Sequence, residues 1–301
     1  MTQQQKYAWL IDTILRAHRI SFKDLSDKWE RNKELSDYQP LHRATFNRWR
    51  DAIYYQYGII IACDKKGGYL YYIDNPDVIT KDILKKWMLD SFEIGTLIIE
   101  NISLKDRILV DSIPSGYRYL SNILAAMQDN KVLDIIYNSY DKLEPYRCLL
   151  EPYCVKLFDG RWYMLGHNPN KDTLRCYSLD RIERLHTTDC SFTMPDNFDA
   201  TEFYSDYFGI VTDKKESPQR IVLRAYESHK EYMKSLPLHH SQRKLTETED
   251  YADFELRLSP TYDFIMRLLH VGPLIEVMEP SSLRQTMKEW IDNMSALYQN
   301  E

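Results

Sequence analysis

The sequence predicts an α+β protein built from successive modules, and three observations carry that prediction. Apolar residues first recur three times at helical spacing and then give way to a short basic hairpin. From Val132 to about Leu185 the spacing changes to the two-residue alternation of strands. Beyond Ser217-Pro218, strands and helices alternate to the last helix. A chain of 301 residues suits two or three domains. The pattern changes place boundaries at 1–75, 76–130, 131–215 and 216–301.

Composition narrows the class. Hydrophobic content of 44% and charged content of 28% suit an ordinary globular chain. The five cysteines, Cys63, Cys148, Cys154, Cys176 and Cys190, form no CxxC pair and no His-Cys cluster. Neither zinc nor a disulfide framework is therefore expected, and no cofactor is called for. No apolar run reaches 18 residues, and Thr2-Gln3-Gln4-Gln5 is polar, so neither a membrane span nor a signal peptide is expected and the cytoplasm is the expected location. The net charge of -6 is unevenly spread. Residues 1–73 hold twelve Lys/Arg and eight Asp/Glu of the chain's 39 and 45, leaving 27 and 37 for the remainder. A basic head on an acidic body fits a nucleic-acid module whose body the same polyanion repels.

The first module reads as three helices and a hairpin. Tyr7, Leu10, Ile11, Ile14 and Leu15 define a first helix that stops near His18. Ser21 is an N-cap, with Asp24 at the third helical position and Leu25 and Trp29 on the buried face of a short second helix. Pro40 is placed at the opening of a third helix. There Phe46, Trp49 and Ile53 face the core, Arg43, Asn47 and Arg50 follow one face over, and Thr45 and Arg48 extend that polar surface. A strand Ile59–Ile61, a turn Asp64-Lys65-Lys66-Gly67-Gly68 and a strand Tyr69–Ile73 come next. This is the order of a winged helix-turn-helix, whose third helix can enter the major groove while Lys65 and Lys66 meet phosphate. Arg43, Asn47 and Arg50 are candidate base readers, because Arg forks match guanine and Asn matches adenine. The plainer alternative is a solvated polar face on a small bundle.

Asn75-Pro76 breaks the hairpin. Residues 78–102 then read as a helix, and Ser115-Gly116 starts another, carrying Tyr119, Leu120, Ile123, Leu124 and Met127. Packing between domains or within a dimer is the expected role of this connector.

The third module carries the ligand chemistry. Leu133–Tyr137 is a strand, Asn138-Ser139 opens a loop, Tyr146–Leu150 and Glu151–Phe158 are strands, and Asp159-Gly160 is a strong hairpin signal. Arg161–His167 and Leu174–Leu179 follow, with Arg181-Ile182 continuing toward Leu185. Short strands and a tight hairpin suggest a small, strongly bent antiparallel sheet or barrel. Alternation puts Trp162, Met164 and Gly166 on one side and Tyr163, Leu165 and His167 on the other. If Tyr163 and His167 lie across from Arg175 and Tyr177, the surface holds a guanidinium, an imidazole and two phenols. Aromatic faces stack bases and Arg forks match phosphate, which suits a nucleotide-bearing ligand. Trp162 is expected in the core. Asp180 is a possible carboxylate partner for Arg175 or Arg181.

The run Gly160-Arg161-Trp162-Tyr163-Met164-Leu165-Gly166, followed by Arg175-Cys176-Tyr177-Ser178-Leu179-Asp180-Arg181-Ile182, resembles the WYL domain, named for a Trp-Tyr-Leu triplet. Met164 stands where the name has Leu, a volume-conserving exchange. Arg43-Ala44-Thr45-Phe46-Asn47-Arg48 resembles the helix-turn-helix that precedes such domains in bacterial regulators, and Gly272-Pro273 to Leu283-Arg284 resembles their C-terminal extension. The resemblance implies a homodimeric transcriptional regulator with an Sm-like barrel that binds nucleotides, oligonucleotides or single-stranded nucleic acid, and several such relatives are tied to phage-defence loci. It places a basic ligand site at Tyr163, His167, Arg175, Tyr177 and Arg181, with Tyr137 and Ser139.

In the last module Arg220–Ala225, Tyr251–Leu258 and Leu274–Met278 read as strands, and Ser228–Leu236, Thr261–Leu269 and Ser281–Tyr298 as helices. The order is read as ferredoxin-like and as a dimerisation region. His239-His240 reads as a solvated turn. The chain is thus expected to be a ligand-responsive DNA-binding regulator, a repressor of double-stranded operator DNA, with a nucleotide or oligonucleotide effector. The alternative is an RNA- or nucleotide-binding accessory protein of a defence system that acts without promoter binding. No Walker loop, nucleophile elbow, metal-ligand set or carboxylate pair stands out, so no catalytic residue is assigned and an enzyme is not expected.

Overall fold

The computed structural model describes residues 2–32, 36–109, 116–212 and 217–299. They form a mixed α+β chain with a helical N-terminal part and several antiparallel sheets, divided into two compact units, 1–111 and 112–301.

In the first unit, α1 (Gln3–Ala17) starts from a capping box in which Thr2 Oγ1 accepts from Gln5 N and Gln5 Oε1 accepts from Thr2 N. After β1 (Ile20–Ser21), Ser21 Oγ accepts from Asp24 N at 3.1 Å and opens α2 (Phe22–Arg31). The third long helix, α3 (Arg43–Tyr57), begins at His42 and not at Pro40, and Gly58 closes it in the left-handed region. Pro40 forces extended backbone on its predecessor and lies outside the helix it was expected to open. Leu10, Ile11 and Ile14 of α1 meet Leu25, Phe46, Trp49 and Ile53 in one core, where the Trp29 and Trp49 rings pack edge-on at 5.1 Å. A small sheet of order β1-β3-β2 joins β2 (Ile61–Asp64) and β3 (Leu70–Ile73) to β1. The first hairpin strand therefore starts at Ile61, two residues later than its apolar run suggests. The expected connector helix is split into α4 (Asp77–Thr80) and α5 (Ile83–Glu100), and α5 packs along α1 with an Arg16–Glu93 ion pair.

The second unit begins with α6 (Leu120–Gln128); Ser115, expected to start this helix, lies outside the described residues. Five strands follow: β4 (Lys131–Tyr137), β5 (Tyr146–Phe158), β6 (Arg161–Asn168), β7 (Thr173–Ser178) and β8 (Ile182–Ser191). They form one antiparallel sheet of order β7-β6-β5-β4-β8. The two strands expected at 146–150 and 151–158 are one strand with a bulge between Pro152 and Cys154. Its first half pairs with β4 and its second half with β6, so the bulge bends the sheet where it changes partner. Asp159 and Gly160 both take positive φ, the requirement of a tight type I′ turn. Ile123 and Ala126 of α6 cover Leu133, Ile135, Leu150, Met164 and Tyr177.

After the short α7 (Ala200–Tyr204), the C-terminal part runs β9 (Gln219–Tyr226), α8 (His229–Ser235), β10 (Arg243–Glu247), β11 (Tyr251–Leu258), α9 (Tyr262–Val271), β12 (Ile275–Glu279) and α10 (Ser281–Leu297). Its sheet has the order β10-β11-β9-β12 over a core of Leu223, Phe254, Phe264, Leu268 and Leu283. His239 is buried rather than solvated. Its Nδ1 lies 2.7 Å from Ser241 Oγ, and burial pushes its pKa down to about 4.

Candidate ligand site and nucleic-acid interface

In the head, the buried stripe of α3 decides where the polar residues point. With Phe46, Trp49 and Ile53 inward, the exposed Asn47, Arg48 and Asp51 face away from the core. Arg43 and Arg50 rise on one flank and lie over aromatic rings. The Arg43 guanidinium is 4.4 Å from the Phe22 ring centre and donates to Tyr71 Oη at 3.3 Å, and Arg50 is 5.8 Å from the Tyr71 ring centre. Thr45, half-buried, lies on the other flank. The five helix residues therefore do not share one stripe. Lys65 and Lys66 are exposed in the hairpin turn, which is organised by Asp64. The Asp64 carboxylate accepts from Gly67 N at 2.8 Å and pairs with Arg19 at 2.6 Å, and these bonds hold it below the usual carboxylate range.

In the five-stranded sheet, the register does not place Tyr163 and His167 across from Arg175 and Tyr177. Tyr163 is opposite Ser178, Met164 opposite Tyr177, Gly166 opposite Arg175 and His167 opposite Leu174. Arg175 and Tyr177 thus share the side of Trp162 and Met164, while Tyr163 and His167 occupy the other. His167 is already engaged there. Its Nδ1 lies 2.7 Å from Glu151 and its Nε2 3.1 Å from Asp172. Burial acts to lower its pKa, but the two carboxylates outweigh it and hold the imidazole above its ordinary value. Such a group is bound to acids rather than open to an anion.

On the Arg175 side, the structure gathers phenol rings between two cations. Tyr137 and Tyr177 are buried, with ring centres 5.2 Å apart, and Tyr146 lies 6.0 Å from Tyr137. Tyr137 Oη accepts from Ser178 N at 3.1 Å, and burial raises the pKa of both Tyr137 and Tyr177. Their rings can wall a ligand site, but their hydroxyls do not reach into solvent. Arg175, exposed, has no carboxylate within ion-pair distance among the described residues. Arg181 lies 3.8 Å from the Tyr140 ring centre, and its Nε is buried without a hydrogen-bond partner. Asp180 pairs with neither of these arginines: it lies 3.5 Å from Arg161 Nη1 and accepts from Ser178 Oγ. Ser139 spends its hydroxyl on the turn, accepting from Asp141 N at 3.4 Å.

Two residues absent from the sequence reading join this cluster. Tyr140 carries the Arg181 guanidinium, and Lys142 Nζ lies 3.6 Å from the Tyr146 ring centre. Both belong to the β4–β5 loop, where no periodicity marks a side chain. The arrangement can do two things: stack flat rings on exposed Tyr140 and give anions the open edges of Arg175, Arg181 and Lys142.

Comparison with known proteins identifies two domains. Residues 118–187 match the WYL domain and residues 217–295 match the WCX domain. No curated protein sequence matches the chain. Among solved structures it is similar to proteasome accessory factor B/C (PafBC) of Arthrobacter aurescens, at 15% identity over 94% of this chain and 46% of that one, with a TM-score of 0.34. It is also similar to a structure described as a CRISPR Cas-related protein, at 13% identity over 97% and 78% of the two chains, with a TM-score of 0.40. The chain thus spans about half the length of the PafBC chain.

Proposed function

We propose that the protein is a DNA-binding transcriptional regulator, acting as a homodimeric repressor, whose WYL domain senses a nucleotide, an oligonucleotide or single-stranded nucleic acid. The observation that carries the sensing role is Arg181: a guanidinium laid on Tyr140 with its Nε buried and unpartnered, in a domain that matches WYL. A buried unpaired donor is costly, and an incoming phosphate would relieve it. The output is assigned to the head, read as a winged helix-turn-helix. Support comes from its element order, from Asn47 and Arg48 on the outward face of α3, and from Lys65-Lys66 in the hairpin turn. The five-stranded sheet is read as an Sm-like barrel, and the βαββαβ run with strand order β10-β11-β9-β12 as a ferredoxin-like extension serving dimerisation. This reading assigns no catalytic residue, and it places the gene beside a phage-defence system.

The test of the output is selection of bound duplexes from a random pool by the full-length protein, followed by gel retardation. Arg43→Ala/Arg50→Ala should weaken binding at least tenfold, the removal of two contacts worth about 1–3 kcal/mol each. Normal binding by that variant would remove α3 as the reading helix. One observation favours the alternative of an accessory protein that binds RNA or a nucleotide without a promoter: Asp51 is exposed on the same face as Asn47 and Arg48, where it opposes the approach of phosphate. Under that alternative the protein retards RNA and selects no duplex.

A further inference from the structure

The five-stranded sheet has a second charged surface on the face opposite the phenol cluster. Leu133, Ile135 and Tyr137 of β4 point into the core, so Asp134 and Ile136 point away from it. The register then lines up cations on both sides. Arg147 of β5 and Arg184 of β8 are each directly opposite Ile136, and His186 of β8 is opposite Asp134. Arg118, from the turn that leads into α6, closes one end. The result is an open groove of about 700 Å³ with Ile136 in its floor and the Tyr119 ring in its wall.

Its charges are unevenly satisfied. Asp134 is held by Arg147 through three hydrogen bonds of 2.6–3.0 Å, which keeps that carboxylate below its ordinary pKa and fixes the Arg147 head at the groove's edge. Arg184 and Arg118 have no carboxylate partner among the described residues, and Arg118 rests instead 5.1 Å from the Tyr119 ring centre. Glu183, whose backbone carbonyl accepts from Tyr119 Oη at 2.9 Å, is the other acid of the groove. Three guanidiniums thus face two carboxylates, one of them already committed, on a body that carries 37 acidic against 27 basic residues outside the head.

We propose that this groove is a second nucleic-acid contact of the protein, holding the phosphodiester backbone of a single strand at Arg118, Arg147 and Arg184. The concave shape selects a flexible strand, since a rigid duplex bridges a groove of this size instead of entering it. The Tyr119 ring and the apolar floor give an unpaired base a surface beside the cations, the combination that sequence-tolerant single-strand sites use. It lies on the opposite face of the sheet from Tyr137, Arg175 and Tyr177 and stands without them.

The test uses the full-length protein and a fluorescein-labelled oligothymidylate of about fifteen nucleotides, titrated over a series of salt concentrations, with Arg175→Ala/Arg181→Ala as the background. That background should still bind the strand. Adding Arg118→Ala/Arg184→Ala should weaken binding on the order of tenfold or more at about 0.1 M salt and reduce the slope of log K against log salt by about 1.4, two single-strand phosphate contacts at about 0.7 each. Arg118→Lys/Arg184→Lys should restore most of the slope, which a purely structural role would not do. An unchanged slope in the alanine variant, loss of all strand binding already in the background, or equal competition by duplex DNA or polyglutamate would each overturn the assignment. Failure of the sensing role at Arg181 would instead appear as an effector response unchanged in the background variant, leaving this result standing.

Discussion

The two larger sheets of the second unit differ in how far their arginines are matched to acids. In the four-stranded sheet and the helix that follows it most arginines are matched to acids, Arg257 being an exception among the described residues. Arg224 makes two bonds to Asp253 at 2.8 and 3.0 Å, Arg243 meets Glu255 at 2.6 Å, Arg220 reaches Glu255 and Glu279, and Arg284 meets Glu276 at 2.7 Å. In the five-stranded sheet and its flanking turn Arg147 is held by Asp134 and Arg161 lies 3.5 Å from Asp180, while Arg118, Arg175, Arg181 and Arg184 have no such partner among the described residues, and two of them lie on tyrosine rings instead. Cross-strand charge pairs are an ordinary way to finish the solvent face of a sheet. Guanidiniums left on rings or in open grooves finish no such face, and their donor edges stay available to an anion. The comparison separates a sheet whose arginines are mostly paired from one that leaves four of its arginines unpaired.

The largest stability contrast should come from removing one arginine on each side. Arg224→Ala strands the half-buried Asp253 and should lower the midpoint of chemical denaturation of the intact protein. Arg175→Ala/Arg181→Ala removes no ion pair and one unpartnered donor, so it should stay within about 0.5 kcal/mol. Equal losses in the two variants would erase the distinction.

A smaller effect separates the sheets by pH. Glu247, paired with Lys234 and Lys244, is held down to about 2, and Asp253 is also lowered by Arg224. Their contributions are present above the unfolded carboxylate values and are lost as pH falls through the folded ones. His167 runs the other way: its raised pKa gives stability that is complete below about 6.5 and fades as pH rises through the folded value. Melting of His167→Gln should therefore differ from the parent at pH 5.5 and converge with it toward pH 9. A difference that grows with pH would contradict the Glu151–His167–Asp172 arrangement.

Much of this layout is legible in the sequence where alternation and turn chemistry agree. β11 falls where Ala252, Phe254, Leu256 and Leu258 alternate, and Asp159-Gly160 makes its hairpin. β10 is invisible because all five of its residues are exposed, so no apolar period marks it; it is held at the sheet edge through Arg243–Glu255. The sequence divides β5 at Leu150/Glu151, but the strand runs on through Pro152 to a bulge beside it, where it changes partner. Which residues of β6 and β7 face one another is not legible for a different reason. Register across the loop between β6 and β7 is not encoded in either strand, and a slip of one residue moves every side chain to the other face. Tyr140 and Lys142 could be found only once the loop that carries them was placed over Arg181 and Tyr146.

The central claim, that a ligand at Arg175 and Arg181 controls DNA binding by the head, is tested most directly by one titration. The full-length protein, bound to a duplex it has selected, is challenged with a defined mixture of short oligonucleotides, and duplex affinity is followed by anisotropy. The account predicts that the mixture shifts the parent's affinity at least tenfold, while Arg175→Ala/Arg181→Ala binds the duplex normally and shows no shift, as expected for the loss of two charged hydrogen-bonding groups worth about 1.5–3 kcal/mol each. An undiminished shift in that variant would contradict it.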